Sequence, residues 1–328
     1  MFHFDWAIFM KKRLLSFVLF TFFNVANAET VFVTLEKDNA LAVLNPSDGK
    51  LLKTVPVGKR PRGIALSPDN KTLYVATSDD NTIKTFDSNT LKQTGVVPSG
   101  EDPETFALSA DGKKMYISNE DDSLVTVIDL VKKKVSKQIK VGVEPEGICV
   151  SPDKKWVVSA SETTNMVHWI DTKTMEIVEN TLVDARPRFV TFSPDSSQLW
   201  VTSEMAGSLM ILDATTKQAI KTLTFSIQGL AADKIQPVGI AIDNERKHAY
   251  VALGTANRVA VVNAQTFEIE RYFLVGSRVW NVAFSPDQKR LYTANGLSND
   301  VSIIDLESQT VTKSIGVGSY PWGLAVKP

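Results

Sequence analysis

The chain has 328 residues, with 36 lysines and arginines against 37 aspartates and glutamates, a formal net charge of −1. That length holds one large or two ordinary domains with an ample core. The charges are interspersed, with no basic tail or block for non-specific nucleic-acid binding, and a single cysteine, Cys149, excludes an intrachain disulfide or a thiolate metal cluster.

In chain order, the first segment reads as a secretion signal. Lys11-Lys12-Arg13 forms a positive patch, residues 14–23 are apolar, and Ala26-Asn27-Ala28 is the small-x-small pattern that a signal peptidase accepts. Met10 directly precedes the basic patch and is the expected start. The apolar run is too short to span a bilayer, and no other stretch approaches the ~20 apolar residues a spanning helix needs. Residues 1–28 are therefore expected to be a cleaved signal peptide, residues 29–328 a single domain, and the mature protein periplasmic with no membrane span. Loss of Lys11, Lys12, Arg13 and Asp5 leaves 33 cationic against 36 anionic side chains, a mature charge of −3.

The rest of the chain repeats. Ser67-Pro68-Asp69 recurs as Ser109-Ala110-Asp111, Ser151-Pro152-Asp153 and Ser193-Pro194-Asp195, weakens to Asp243-Asn244-Glu245, and returns as Ser285-Pro286-Asp287, in steps of 42, 42, 42, 50 and 42 residues. Each turn follows a short apolar strand such as Gly63-Ile64-Ala65-Leu66 and precedes a second one such as Leu73-Tyr74-Val75-Ala76. A third strand (Val125-Thr126-Val127-Ile128-Asp129) and a fourth alternating one complete the unit. Pro presets φ in the turn, Asp bonds nearby amides, and the β-branched and aromatic runs carry no helical period. Four strands per ~40 residues mark a propeller blade. First strands and second strands each number seven, but the chain starts at a second strand and ends on a first. An all-β, seven-bladed β-propeller of four antiparallel strands per blade follows, closed by a shared blade of one C-terminal inner strand and three N-terminal strands.

Tyr74-Val75-Ala76-Thr77 carries the resemblance to the YVTN family of β-propeller repeats, which extends over essentially all of residues 30–328. The secreted seven-repeat chain is most similar to the propeller family associated with catabolism dependent on pyrroloquinoline quinone (PQQ). That resemblance implies a periplasmic setting beside quinoprotein dehydrogenases and a transport component, either of which would be a partner, and no catalytic motif.

Function in a repeated framework belongs where equivalent positions stop repeating. The residue before the repeated small position of the first strand, near the channel mouth, reads Arg62, Glu104, Glu146, Arg188, Val238, Trp280, Trp322 around the ring. Two positions earlier the series is Arg60, Asp102, Glu144, Arg186, Gln236, Arg278, Tyr320. Arg62, Glu104, Glu146, Arg188, Arg278, Trp280 and Trp322 are the candidate ligand-binding residues. Two readings stand. The arginines clamp a small anionic ligand while a tryptophan stacks on it, which suits a planar tricarboxylate such as PQQ, or Arg62 and Arg188 neutralise Glu104 and Glu146 in a structural charge ring. Glu36, Glu120, Glu162 and Glu204, at the ends of second strands, face the same mouth but are set far apart for a metal, and no loop has calcium-binding spacing. An eight-residue insertion at 225–236 would lie on this face as well.

His168 and His248, the histidines after residue 28, belong to no nucleophile elbow or metal pair, and Cys149 in an apolar strand reads as a buried, inert thiol. The preferred function is a non-enzymatic binding or scaffold protein of periplasmic PQQ-dependent alcohol catabolism. Two alternatives remain. A lactonase-like hydrolase would need one carboxylic acid of raised pKa near the mouth arginines. A single-stranded nucleic-acid binder would stack bases on Trp280 and Trp322, against which the acidic mature charge weighs.

Overall fold

The structure is a computed structural model and describes Met1 and residues 29–328; the expected signal peptide beyond Met1 lies outside the described residues. Seven four-stranded antiparallel sheets form the ring. Blade I comprises Pro61–Leu66, Thr72–Thr77, Thr82–Asp87 and Gln93–Pro98, and blades II to VI follow at 103–140, 145–182, 187–224, 240–274 and 279–316. Blade VII is the shared one: Pro321–Lys327 pairs antiparallel with Thr30–Leu35, followed by Ala40–Asn45 and Lys50–Pro56. The fourth strands run, for example, over Lys134–Lys140 and Thr310–Gly316, starting before the stretches 136–142 and 314–318 that alternate towards a glycine. Among the described residues no helix is long and apolar enough to cross a membrane.

The turn chemistry expected from Ser-Pro-Asp is present. Ser67 Oγ donates to Asp69 Oδ1 at 2.6 Å, Asp69 accepts the Lys71 N–H, and Ser67 Oγ accepts the Thr72 N–H. In blade V a lone Asp243 takes over by accepting the N–H groups of Lys247 and His248. The core lies between blades rather than in one centre. Trp200, Leu209 and Ile211 of blade IV pack on Val251, Ala260 and Val262 of blade V, and other interfaces repeat the arrangement. Each large side chain buried this way contributes roughly 1.5–3 kcal/mol. Aromatic pairs pack in two of these layers on the face away from the mouth: Phe192 of blade IV against Trp169 of blade III at 5.9 Å, and Phe284 of blade VI against Tyr250 of blade V at 5.5 Å.

The insertion joins one interface. Phe225 and Ile235 are buried in the layer between blades IV and V, a short 3-10 turn spans Ala232–Lys234, and Leu230 is exposed. At the closing blade, the Glu29 carboxylate reaches blade VI, accepting the Tyr292 hydroxyl at 2.9 Å and pairing with Arg290.

Closure predicts that a chain ending at Tyr320 loses more than a local strand. Without Pro321–Lys327 the inner edge of Thr30–Leu35 is unpaired, and a cooperative near-UV circular-dichroism transition on heating is expected to vanish. A full-length-like transition in that truncation contradicts closure by this blade.

Candidate functional site

The backbone positions the mouth in two repeated steps. First strands carry a bulge near their start, between Pro61 and Ile64, Pro103 and Phe106, Pro145 and Ile148, and Pro187 and Phe189. Such an irregularity re-aims the side chains within it, and Arg62, Glu104, Glu146 and Arg188 sit there. Second, in six of the seven blades the crossing residue just before the first strand is left-handed: Arg60, Asp102, Glu144, Arg186, Arg278 and Tyr320 have φ from 44° to 60°. In five crossings its N–H is held by an asparagine of the preceding blade. Arg60, Asp102, Arg186, Arg278 and Tyr320 bond Asn39, Asn81, Asn165, Asn257 and Asn299 at 2.9–3.0 Å.

The two rings of side chains then meet as ion pairs. Arg60 bridges Asp102 at 2.6 Å and Glu104 at 2.8 Å, and Arg62 holds the other Glu104 oxygen at 2.5 Å with Glu36 at 3.6 Å. Across the ring, Arg188 pairs with Glu146 at 2.6 Å, with Glu162, and with Glu204 at 3.6 Å. Arg186 pairs with Glu162 at 2.8 Å, and Arg278 with Glu204 at 2.8 Å and with Gln236. Glu104 is fully buried, and Glu146, Glu162 and Arg188 nearly so. The spatial arrangement is thus that of the charge ring.

Seven carboxylates of this network (Glu36, Asp102, Glu104, Glu120, Glu146, Glu162, Glu204) face five arginines (Arg60, Arg62, Arg186, Arg188, Arg278). Burial, then the Glu104 charge and a hydrogen bond to it, push the Glu120 carboxyl up to about 8. Burial also raises Glu146 well above the carboxylate range, against the pull of the Arg188 charge, and its contact with Glu162 adds to the rise. Burial opposes ionisation of Glu162 too, but the bond from Glu146 and the charges of Arg188 and Arg186 outweigh it and hold its pKa down. For Arg62 and Arg188 the surrounding carboxylates overcome burial and raise the guanidinium pKa. Carboxylate oxygens of Asp102, Glu104 and Glu120 lie within 4.8 Å of one another, a tighter set than the second-strand ring considered for a metal.

The tryptophans complete the surface. Arg278 lies over Trp280 at 4.2 Å, Arg188 over the same ring at 5.7 Å, and Arg62 over Trp322 at 5.5 Å. All seven residues expected at the mouth therefore converge there. Thr105, Glu146, Arg188, Val238, Trp280 and Trp322 leave a cavity of ≈ 10 Å³ on the axis, about one water's worth. Buried N–H groups at Arg62 Nε, Arg188 Nε, Trp280 Nε1 and Trp322 Nε1 have no acceptor among the described residues. A single water or monatomic anion matches that space, whereas a planar tricarboxylate would have to displace Glu104 and Glu146 from the arginines.

Arg60, Asp102, Arg186 and Glu120, placed in the mouth rings from the sequence but left out of the ligand-binding candidates, supply the partners that decide this chemistry. The signal available was their register, two residues before the bulge or at the end of the facing strand. The histidines stand apart. His168 Nε2 accepts the Gly142 N–H at 2.9 Å and Nδ1 meets Asn180 at 2.6 Å, with burial lowering its pKa, so it is a satisfied neutral core residue. His248 lies between Asp243 and Glu270, at 3.4 Å from each, on the opposite face. Cys149 is more open than a core thiol, though burial still raises its pKa.

Residues 73–188 match the cytochrome D1 heme domain family, residues 131–287 the choice-of-anchor I domain and residues 49–87 the WD domain, G-beta repeat. A search of curated proteins gives no match. Among solved structures the chain is similar to Kuenenia stuttgartiensis hydrazine synthase (21% identity over 81% of this chain and 89% of that one, TM-score 0.73). It is also similar to a Bacteroides uniformis protein described as a candidate 6-phosphogluconolactonase (17%, 92% and 100%, TM-score 0.75). A third is dihydro-heme d1 dehydrogenase NirN in complex with DHE (15%, 88% and 63%, TM-score 0.67). At these identities the likeness is one of fold, and the chain is a seven-bladed β-propeller repeat protein.

Two outcomes follow from the network. Arg188→Met leaves Glu162 and Glu204 short of a buried partner and is expected to cost about 3–5 kcal/mol in urea unfolding at pH 7; a cost under ~1 kcal/mol would show that the ring is dispensable. Glu120 carries a raised pKa, so its stabilising effect is complete below about 4.5, its unfolded value, and is lost as pH rises through about 8. Glu120→Gln, which imitates the protonated acid, is expected to flatten the fall in melting temperature between pH 6 and 9, with the higher value at pH 9. Parallel curves for the two proteins would place the proton elsewhere.

Proposed function

We propose that the chain is an exported, non-enzymatic binding propeller that docks a partner protein through its mouth face. One observation carries this reading: the mouth arginines are already paired within the ring and the axial space is ≈ 10 Å³. What the mouth offers is a fixed charged surface rather than a chamber. Over blades I and II that surface is acidic, with Asp79, Glu101 and Asp121 exposed beside Asp122 and Glu120, so the complementary partner presents lysines or arginines. Export rests on the basic patch, apolar run and Ala26-Asn27-Ala28. The resemblance to the PQQ-associated family supplies the class of partner, a periplasmic dehydrogenase or transport component.

A second reading has one observation in its favour. Glu120, with a carboxyl near pH 8 beside Asp102, Glu104 and Arg60, is the kind of acid a lactonase-like hydrolase requires. The small axial space argues for the surface role over this one. A haem site, suggested by the likeness to heme d1 proteins, finds no histidine at the mouth among the described residues.

The test is a tryptophan-fluorescence titration with PQQ together with partner capture from periplasm. Docking predicts no saturable quenching by PQQ, and a captured protein that is lost in Asp79→Lys/Glu101→Lys/Asp121→Lys and released by ~0.5 M salt, where screening is nearly complete. Saturable quenching that fades in Trp280→Phe and Trp322→Phe would replace docking with a quinone-binding role.

A further inference from the structure

Blades II and III leave a cleft open on the face away from the mouth. Where first strands end, Phe192 and Phe284 pack edge-on against Trp169 and Tyr250 of the preceding blade. Blade III has Val150 at this repeat position. The cavity beside it measures ≈ 590 Å³, inside the ~300–1,000 Å³ range of small-molecule sites. Its apolar wall is Val150, Met175 and Val131. Tyr116, only 2% exposed, also lines it, and its hydroxyl has no hydrogen-bond partner among the described residues.

The cleft is cationic. Lys114, Lys137 and Lys154 line it without an ion pair among the described residues. Of its two acids, Asp111 accepts from Ser109 Oγ and the Lys113 N–H within the cleft and is felt by the Tyr116 hydroxyl, and Asp129 pairs with Lys132 at 3.4 Å, so the lining lysines outnumber the acids. Lysines that are interspersed along the chain thus converge in space.

The molecule also contains a filled version of the same cleft. In blade VI, Arg290-Leu291-Tyr292 occupies the repeat position of Lys114-Met115-Tyr116, and Val326 of blade VII occupies that of Val150. A carboxylate enters there. The Tyr292 hydroxyl donates to one oxygen of Glu29 at 2.9 Å, and Arg290 pairs with the other. The corresponding pairs in blades I, III, IV and V are Thr72/Tyr74, Trp156/Val158, Gln198/Trp200 and His248/Tyr250, and His248 is already flanked by Asp243 and Glu270. A permanent cation two residues before a tyrosine therefore stands at only these two clefts, one filled by the chain's own carboxylate and one open.

We propose that the cleft between blades II and III binds a small molecule carrying a carboxylate on an apolar body, with the Tyr116 hydroxyl donating to one carboxylate oxygen and the Lys114 ammonium pairing with the other. The apolar body lies along Val131, Val150 and Met175, and Lys137 and Lys154 add positive potential at the rim. The site is independent of the mouth and of whatever docks there.

The probe is 4-phenylbutyrate, compared by isothermal titration calorimetry with 4-phenylbutanol, which has a similar body and no charge. Saturable binding of the acid is expected, with the alcohol at least about tenfold weaker, because a hydrogen bond and ion pair to a charged group are lost. Tyr116→Phe and Lys114→Met are each expected to weaken the acid about tenfold and leave the alcohol unchanged. Val150→Phe, which puts the bulk of a Phe192- or Phe284-like ring into the apolar wall, is expected to abolish binding of both. Should that variant not fold, the near-isosteric Tyr116→Phe decides. No saturable binding of the acid, equal affinity for acid and alcohol, or wild-type affinity in either Tyr116→Phe or Lys114→Met overturns the proposal.

Discussion

The left-handed crossing residue is the contact on which the mouth depends. Its N–H is tied to the asparagine of the preceding blade, and its carbonyl accepts the N–H that ends its own second strand, as Glu120 to Asp102, Glu162 to Glu144, Glu204 to Arg186 and Glu36 to Tyr320. A non-glycine residue in this conformation costs ~1–2 kcal/mol, and two backbone hydrogen bonds of ~1 kcal/mol each offset it. The crossing thereby brings the end of the second strand beside the start of the first. Two rings of charged side chains that are sixteen residues apart in sequence, such as Glu104 and Glu120, become neighbours.

Once those rings are pressed together, electrostatics has little freedom left. Buried arginines and carboxylates cannot stand alone, because each uncompensated charge costs several kcal/mol. The network answers with shared partners and with carboxyl pKa values raised at Glu120 and Glu146. The same logic runs on the opposite face at smaller scale. Glu29 is buried against Arg290 and Tyr292, where burial raises its pKa even as those partners lower it. Charge in this protein is settled at the joints between blades, as the apolar core is.

The ring itself was legible because its determinants are local and repeated. Ser-Pro-Asp fixes a turn every 42 residues, and the offset between seven first strands and seven second strands dictates closure. The seven mouth residues were legible for the same reason, as departures at one register. What could not be read was pairing across the ring. Arg188 reaches Glu162 and Glu204, and Arg60 shares Glu104 with Arg62, through side-chain reach that the repeat does not encode. The asparagines at 39, 81, 165, 257 and 299 do follow the repeat, with Ser123 and Gly207 at its gaps, and they were a readable sign of the crossings. The open cleft was hidden because Lys114, Tyr116, Lys137 and Val150 come from separate strands of two blades, a grouping that gains meaning only when neighbouring blades are set side by side.

Closure by a shared blade also decides how the molecule can be held. Thr30 pairs with Lys327, so both ends of the folded domain leave from adjacent strands at the rim opposite the mouth. Anything joined covalently to either end, such as a tether, a tag or another domain, acts as a stalk on that rim and turns the acidic mouth outward. The II–III cleft then faces the stalk side. The protein has a built-in front and back, and immobilising it by a terminus selects which of its two surfaces meets the solution.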